Sequence, residues 1–218
     1  MRLAYSPEMG FATVDPEVAR LCEQAAMRLA EAGAVVERVD LDWEDPYESW
    51  KVFFYGGSAA RLGRVLEEQG HLLDPGLRAC AEEAVTLTGL DYSDALVGRN
   101  EFWHQVRKVY ESFDVVLTPT LPVLPFPVGQ DNADPFPGQP QGELQWTQFT
   151  YPITLTGQPA VSVPAGWSEE NLPVGLQIIG RRFDDRSVLR VAQALEQIQP
   201  WHDRWPEFSS ARMPEGGH

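Results

Sequence analysis

Residues 149–180 read FTYPITLTGQPAVSVPAGWSEENLPVGLQIIG, and how this stretch folds decides how the rest of the chain is read. It is poor in charge, rich in Gly and Pro, and carries two β-branched bursts around a polar connection. Val161-Ser162-Val163 and the run from Val174 to Ile179 have the composition of strands, with Ser168-Glu169-Glu170-Asn171 as the loop between them. Glycines at 157, 166, 175 and 180 mark backbone that turns sharply or packs closely. The pattern predicts a buried hairpin beside a cleft and names no chemistry.

Just upstream, residues 114–122 (DVVLTPTLP) read as a buried strand ending in a Thr-Pro-Thr turn. Ligand crevices of open α/β sheets lie at the carboxyl ends of strands, so Thr118 and Thr120 are candidate pocket residues; local turn bonding is the alternative. Residues 122–146 are rich in Pro and Gly and show no periodicity. They read as a surface excursion with sheet on both sides, not as a linker. Phe126, Phe136 and Trp146 within it either cover an apolar pocket or pin the loop. Downstream, Asp184-Asp185 caps a last helix with Val188, Leu189, Ala192, Leu195 and Ile198 inward, and 201–218 forms a tail.

The beginning of the chain gives a β-α-β unit. Leu3-Ala4-Tyr5 is a short strand, and Asp15-Pro16 starts a helix whose Val18, Leu21, Cys22, Ala25, Leu29 and Ala32 share one face. Gly33 ends that helix, a strand follows over 34–41, and the usual arrangement is parallel. No Gly-rich phosphate loop joins strand to helix, which argues against a dinucleotide site. Residues 46–112 read as mostly helical, with apolar stripes at Trp50, Phe53, Phe54 and at Leu62, Val65, Leu66. A second segment over 77–88 follows Pro75, and a third runs over 91–113 with Phe102, Val106 and Val109 on one face. The expected fold class is α/β, a mixed sheet with helices packed on it, as one unit over 1–218.

Charge and residue types exclude several functions. Seventeen basic against thirty-two acidic residues leave a net charge of −15, which argues against nucleic acid or an anionic membrane surface as partner. No apolar run approaches the ~18 residues of a membrane span, and no leader pattern is visible, so a cytoplasmic protein is expected. Cys22 and Cys80 lack metal or redox spacing, and Cys22 reads as a buried small hydrophobe. The four histidines, at 71, 104, 202 and 218, are scattered, so no metal site is expected. Ser58 lies in Tyr-Gly-Gly-Ser-Ala-Ala inside a helical pattern without a neighbouring base, and no serine sits in a nucleophile elbow. Lys51 and Lys108 are the two lysines.

Four segments in one order resemble the C-terminal half of the amidase signature family: 114–122, LTGQPA at 155–160, VPAG at 163–166 and LPVGLQIIGRRFDD at 172–185. VDPEV at 14–18 and Ala194-Leu195-Glu196 fit as well. The resemblance implies hydrolysis of carboxylic amides, or release of ammonia from an amide donor as part of an amidotransferase, with no metal or organic cofactor. It implies a Ser-cis-Ser-Lys arrangement and a backbone oxyanion site, both belonging to the family's N-terminal half. Those motifs match nothing here, so no catalytic residue is carried over. What transfers is a pocket wall, with Thr118, Pro119, Thr120, Thr154, Thr156, Gly157 and Gln158 as substrate-binding candidates. Thr154 stands where the family usually shows Asn, a hydroxyl in place of an amide with two donors. The implied partner is a small-molecule amide, once the other half is present. Because this half shares its sheet and core with the other, self-association or a partner chain is also expected. A binding module that kept the lobe and lost catalysis, and a hydrolase using a serine of its own, are the competing readings.

Overall fold

Asp15 starts the first helix by accepting from the N–H groups of Glu17 and Val18 at 2.8 and 3.3 Å, and Pro16 fills a position where no donor is needed. In the computed structural model, which describes residues 1–130 and 145–204, this helix α1 (Pro16–Arg28) follows β1 (Arg2–Tyr5). It tightens into a 3-10 turn, stops at Gly33 with φ +81° and delivers the chain to β2 (Val35–Arg38). β1 and β2 pair in parallel, as expected for the β-α-β unit. β2 is shorter than 34–41, because the chain leaves the sheet after Arg38 and turns at Asp42 with φ +47°.

Three helices come next, α2 (Tyr47–Gln69), α3 (Pro75–Ala84) and α4 (Gly89–Val109). Asp74 caps α3 through Leu77 N–H, and Thr88 with Asp91 forms a reciprocal capping box at α4. β3 (Val115–Pro119) is followed by a short helix α5 (Tyr151–Thr156), the antiparallel pair β4 (Ala160–Trp167) and β5 (Pro173–Gly180), and α6 (Asp185–Ile198). The sheet order is β2-β1-β3-β5-β4, parallel from β2 to β3 and antiparallel from β3 to β4.

Alternation along the strands divides two cores. Leu3, Tyr5, Val115, Leu117, Leu176 and Ile178 face α1 and α6, meeting Val18, Cys22, Val188, Val191 and Leu195. Ala4, Val116 and Ile179 face the opposite way, against Phe102 and Val106 of α4, Tyr110 just past its end, and Phe149, Ile153 and Leu155 around α5. The result is a three-layer α/β/α arrangement, the fold class the sequence led us to expect.

Three expectations need correction. The stretch 149–180 holds a helix before its hairpin: α5 contains Pro152 in its first turn and closes at Gly157 with φ +70°. The hairpin is not buried throughout, since β4 is an edge strand whose first three residues are open to solvent in part or whole. The apolar stripes of α2 are buried in part: Trp50 and Phe53 pack against the second core, Phe54 and Val65 are exposed, and Tyr55 is the buried residue of the helix. In α6, Leu189 points outward at 63% exposure and Val191 takes the inward place. Phe136 and most of the Pro/Gly-rich excursion, like the end of the tail, lie outside the described residues.

Candidate active-site wall

One cross-strand row is polar where its neighbours are apolar. Thr118 on β3 pairs with Gln177 on β5, and Gln177 pairs with Ser162 on β4. The Gln177 amide donates to Thr118 Oγ1 at 3.1 Å and to the Phe149 carbonyl at 2.9 Å, tying the approach to α5 onto the sheet. Thr118 is fully buried and spends its own proton on the Pro119 carbonyl at 2.8 Å. Thr118 and Pro119 therefore lie in the strand rather than in a turn, and the Thr118 hydroxyl acts as an internal brace.

Thr120, just past the strand, reaches the surface. Its N–H donates to the Gly175 carbonyl at 2.9 Å, and its hydroxyl shares a 2.7 Å hydrogen bond with Ser162. Gly175 makes this pairing possible: a Cβ there would stand 2.6 Å from Ser162 Oγ and 2.8 Å from Thr120 Oγ1. Behind it the Cys22 thiol, pushed up to about 12 by burial and so protonated, donates to the same Gly175 carbonyl at 3.5 Å. The hydroxyl pair borders a cleft of about 370 Å³ walled by Leu121, Val123, Phe126, Pro164 and Val174, with no ionisable side chain among the described residues that line it. Phe126 packs edge-on against Trp146, ring centroids 5.8 Å apart, so this part of the excursion both lines the cleft and is pinned.

The second candidate group lies on α5 and the turn that closes it. Thr154 is exposed and returns its proton to the Thr150 carbonyl at 3.0 Å, inside α5. Thr156 is buried and its hydroxyl bonds Gln158 Oε1 at 2.6 Å, while Gly157 N–H closes α5 on the Ile153 carbonyl. β4 starts with Ala160 beside Ile179, four residues of strand from the level of Pro164 and Gly175. Gly180 N–H donates to the Pro159 carbonyl at 2.9 Å, so the chain leaving α5 enters the sheet at the end of β5 away from Gly175. The structure unites Thr118, Pro119 and Thr120 with each other and with Ser162, Gly175 and Gln177, which sequence reasoning passed over. The signal for the two polar residues was present: Ser162 and Gln177 each interrupt an apolar β-branched run.

Gln148 stands apart. It is fully buried, and its amide nitrogen and oxygen are the buried side-chain polar atoms left without a partner among the described residues. An unmade buried hydrogen bond costs about 1–3 kcal/mol. Gln148→Leu, close in volume, is therefore expected to raise stability by roughly that amount in urea unfolding. A loss of stability would show the amide to be satisfied in solution.

Other reactive residues are occupied structurally. Ser58 Oγ bonds the Phe54 carbonyl one turn back at 2.8 Å, and Lys51 pairs with Glu83 at 2.6 Å. His104 accepts from Arg107 on the exposed side of α4. Among the described residues no group of three or more His, Cys, Asp or Glu is arranged to hold a metal, and no helix is long and apolar enough to cross a membrane.

Comparison with known proteins places this geometry. The amidase family model matches residues 1–189. An acylamidase of Rhodococcus erythropolis is 35% identical over 213 residues, covering 96% of this chain and 44% of that protein. A glutamyl-tRNA(Gln) amidotransferase subunit of Geotalea daltonii is 31% identical, covering 88% of this chain and again 44% of the relative. Among solved structures, a bacterial aryl acylamidase of the amidase signature family superposes with a TM-score of 0.79 at 25% identity over 92% of this chain and 44% of its own. The chain thus spans under half the length of the relatives it matches, corresponding to their C-terminal part. On its sequence, its sheet and its helical layers, the chain belongs to the amidase family.

Proposed function

We propose that these 218 residues build the C-terminal wall of an amide-hydrolase site and do not hydrolyse amides by themselves. In this reading the cleft beside Thr120 and Ser162 faces the substrate, with Thr118, Pro119 and Gln177 bracing it from the interior. Thr154, Thr156, Gly157 and Gln158, on α5 and the turn that closes it, then form a second part of the wall. The nucleophile, its activating groups and the oxyanion donors belong to the part of the relatives that lies outside the match. The observation that carries the reading is the coverage: nearly the whole chain aligns with 44% of an acylamidase.

A second chain, or a second copy, is part of the same proposal. β4 is an edge of the sheet, and the α2–α4 lobe exposes Leu72, Val85 and Leu90 at 71%, 75% and 69%. Such surface favours association. One relative is itself named as a subunit, which supports a partner chain over a solitary module. We place the protein in the cytoplasm, where free thiols such as Cys22 and Cys80 stay reduced.

The test is turnover. Clean 218-residue protein, incubated with a simple amide and followed by product release, is expected to show no hydrolysis above buffer. Turnover that disappears when one of its own serines is replaced would overturn the proposal and favour the independent hydrolase.

A further inference from the structure

Four arginines and two aspartates stand within residues 181–190, where the chain leaves β5 and enters α6. Arg181 donates to the Phe113 carbonyl at 3.3 Å, and the Arg182 guanidinium lies 5.0 Å from the centre of the Phe183 ring. Neither these two nor Arg186 and Arg190 form an ion pair among the described residues. Asp184 spends its carboxylate on the Ser187 N–H as the cap of α6. Phe183 is 85% exposed at φ +68°, backbone that a bulky residue seldom adopts and that points to a role outside packing. Leu189 is exposed as well and shares the outer face of α6 with Arg186 and Arg190 at helical spacing. β5 ends at Gly180 beside Val115, so this surface lies at the end of the sheet away from Thr120 and the cleft.

A chain of net charge −15 repels its own copies on average, so association needs a place where the sign reverses. The matching surface is on the same chain. Residues 82–94, where α3 gives way to α4, hold four acidic residues and no basic one, and they expose Val85 and Leu90. α6 packs on the core of Leu176 and Ile178, while α4 packs across the sheet on the core of Val116 and Ile179, so one copy cannot close the contact on itself. We infer that the Phe183–Leu189 surface of one copy docks on the α3–α4 bend of a second copy, apolar against apolar and arginine against carboxylate. The contact is heterologous: each assembly keeps one free surface of either kind until a ring closes. This narrows the association proposed above to a second copy, while turnover, which decides the amide-hydrolase reading, is independent of it.

Sedimentation velocity of the 218-residue protein tests this. A concentration-dependent series of oligomers is expected, and it should shrink as salt rises to about 1 M, where screening acts within ~3 Å. Phe183→Ser should weaken association roughly thirtyfold, the threshold of an aromatic hot spot. One variant carries Arg186→Glu with Arg190→Glu, and a second carries Glu82→Arg with Asp94→Arg, one helical turn from Val85 and Leu90. Each alone should be monomeric, and mixing the two should restore a complex, because each reversed surface then meets its opposite. All four positions are exposed, so circular dichroism should show the fold retained. A wild-type monomer at every concentration would overturn the inference, as would oligomers indifferent to both reversals, the result of association along the β4 edge. Reversed chains that stay apart when mixed would overturn it too. So would a short single-stranded DNA that binds more tightly than a second copy and depends on Arg186 and Arg190, which would give this surface to nucleic acid.

Discussion

Gln177→Ala will lower the unfolding free energy by about 2–4 kcal/mol, a sum of lost hydrogen bonds and an unfilled space. The side chain is 5% exposed and spans two layers, donating to Thr118 Oγ1 on β3 and to the Phe149 carbonyl at the approach to α5. Its truncation strips a donor from both acceptors and opens a gap beneath α5. Gln177→Leu separates the two contributions, since it fills the space without donating; a cost of about 1–3 kcal/mol is expected from it. For a chain of this size each kcal/mol corresponds to roughly 2–4 °C in melting temperature, so the alanine variant should melt several degrees lower. A change below about 0.5 kcal/mol, the range of ordinary surface substitutions, would mean that Gln177 does not brace the wall. The variant should also loosen the Thr118 end of the strand row, and with it the neighbouring hydroxyl pair.

How far the sequence led depends on which interactions are local. α1 was legible because everything that defines it lies within the helix or beside it: the Asp15 cap, Pro16, the apolar face through Val18 and Cys22, and Gly33 after the last turn. β5 was legible because Val174, Leu176, Ile178 and Ile179 are buried and β-branched or aliphatic over a full strand length. α5 was not, because six residues give too little length for helical periodicity, and Pro152, Ile153 and two threonines favour other conformations. The apolar stripe at Leu62, Val65 and Leu66 marked α2 as a helix but not what covers it, and Val65 stays exposed. That lobe packs on itself through Tyr55, Cys80 and Ala84, a small cluster that leaves much of its apolar surface open.

The site shows the same limit more sharply. Thr118 and Thr120 were found because they end a buried strand. Ser162 and Gln177 were quoted within the strands and still missed as a pair, since their alignment depends on the β4–β5 register, including the irregularity between Pro164 and Gly166. Thr154, Thr156, Gly157 and Gln158 were grouped with Thr120 because the family resemblance implies one pocket wall for both segments. They lie on α5 and the turn that closes it, ahead of the hairpin, where the Thr156 hydroxyl donates to Gln158 Oε1. Gly175 shows its role only when three strands are set side by side.

On the proposed function, this chain supplies the C-terminal wall of an amide-hydrolase site whose chemistry lies in the part of the family it does not match. The most direct measurement joins it, at the boundary of the match, behind the unmatched part of the Rhodococcus acylamidase and follows hydrolysis of an amide that the parent enzyme turns over. A folded hybrid is expected, with turnover within about a hundredfold of the parent, the loss that follows from a wall displaced by ~1 Å, and with none once the hybrid's nucleophilic serine is replaced. A hybrid that folds without hydrolysing, or that fails to fold beside an active parent, would contradict it.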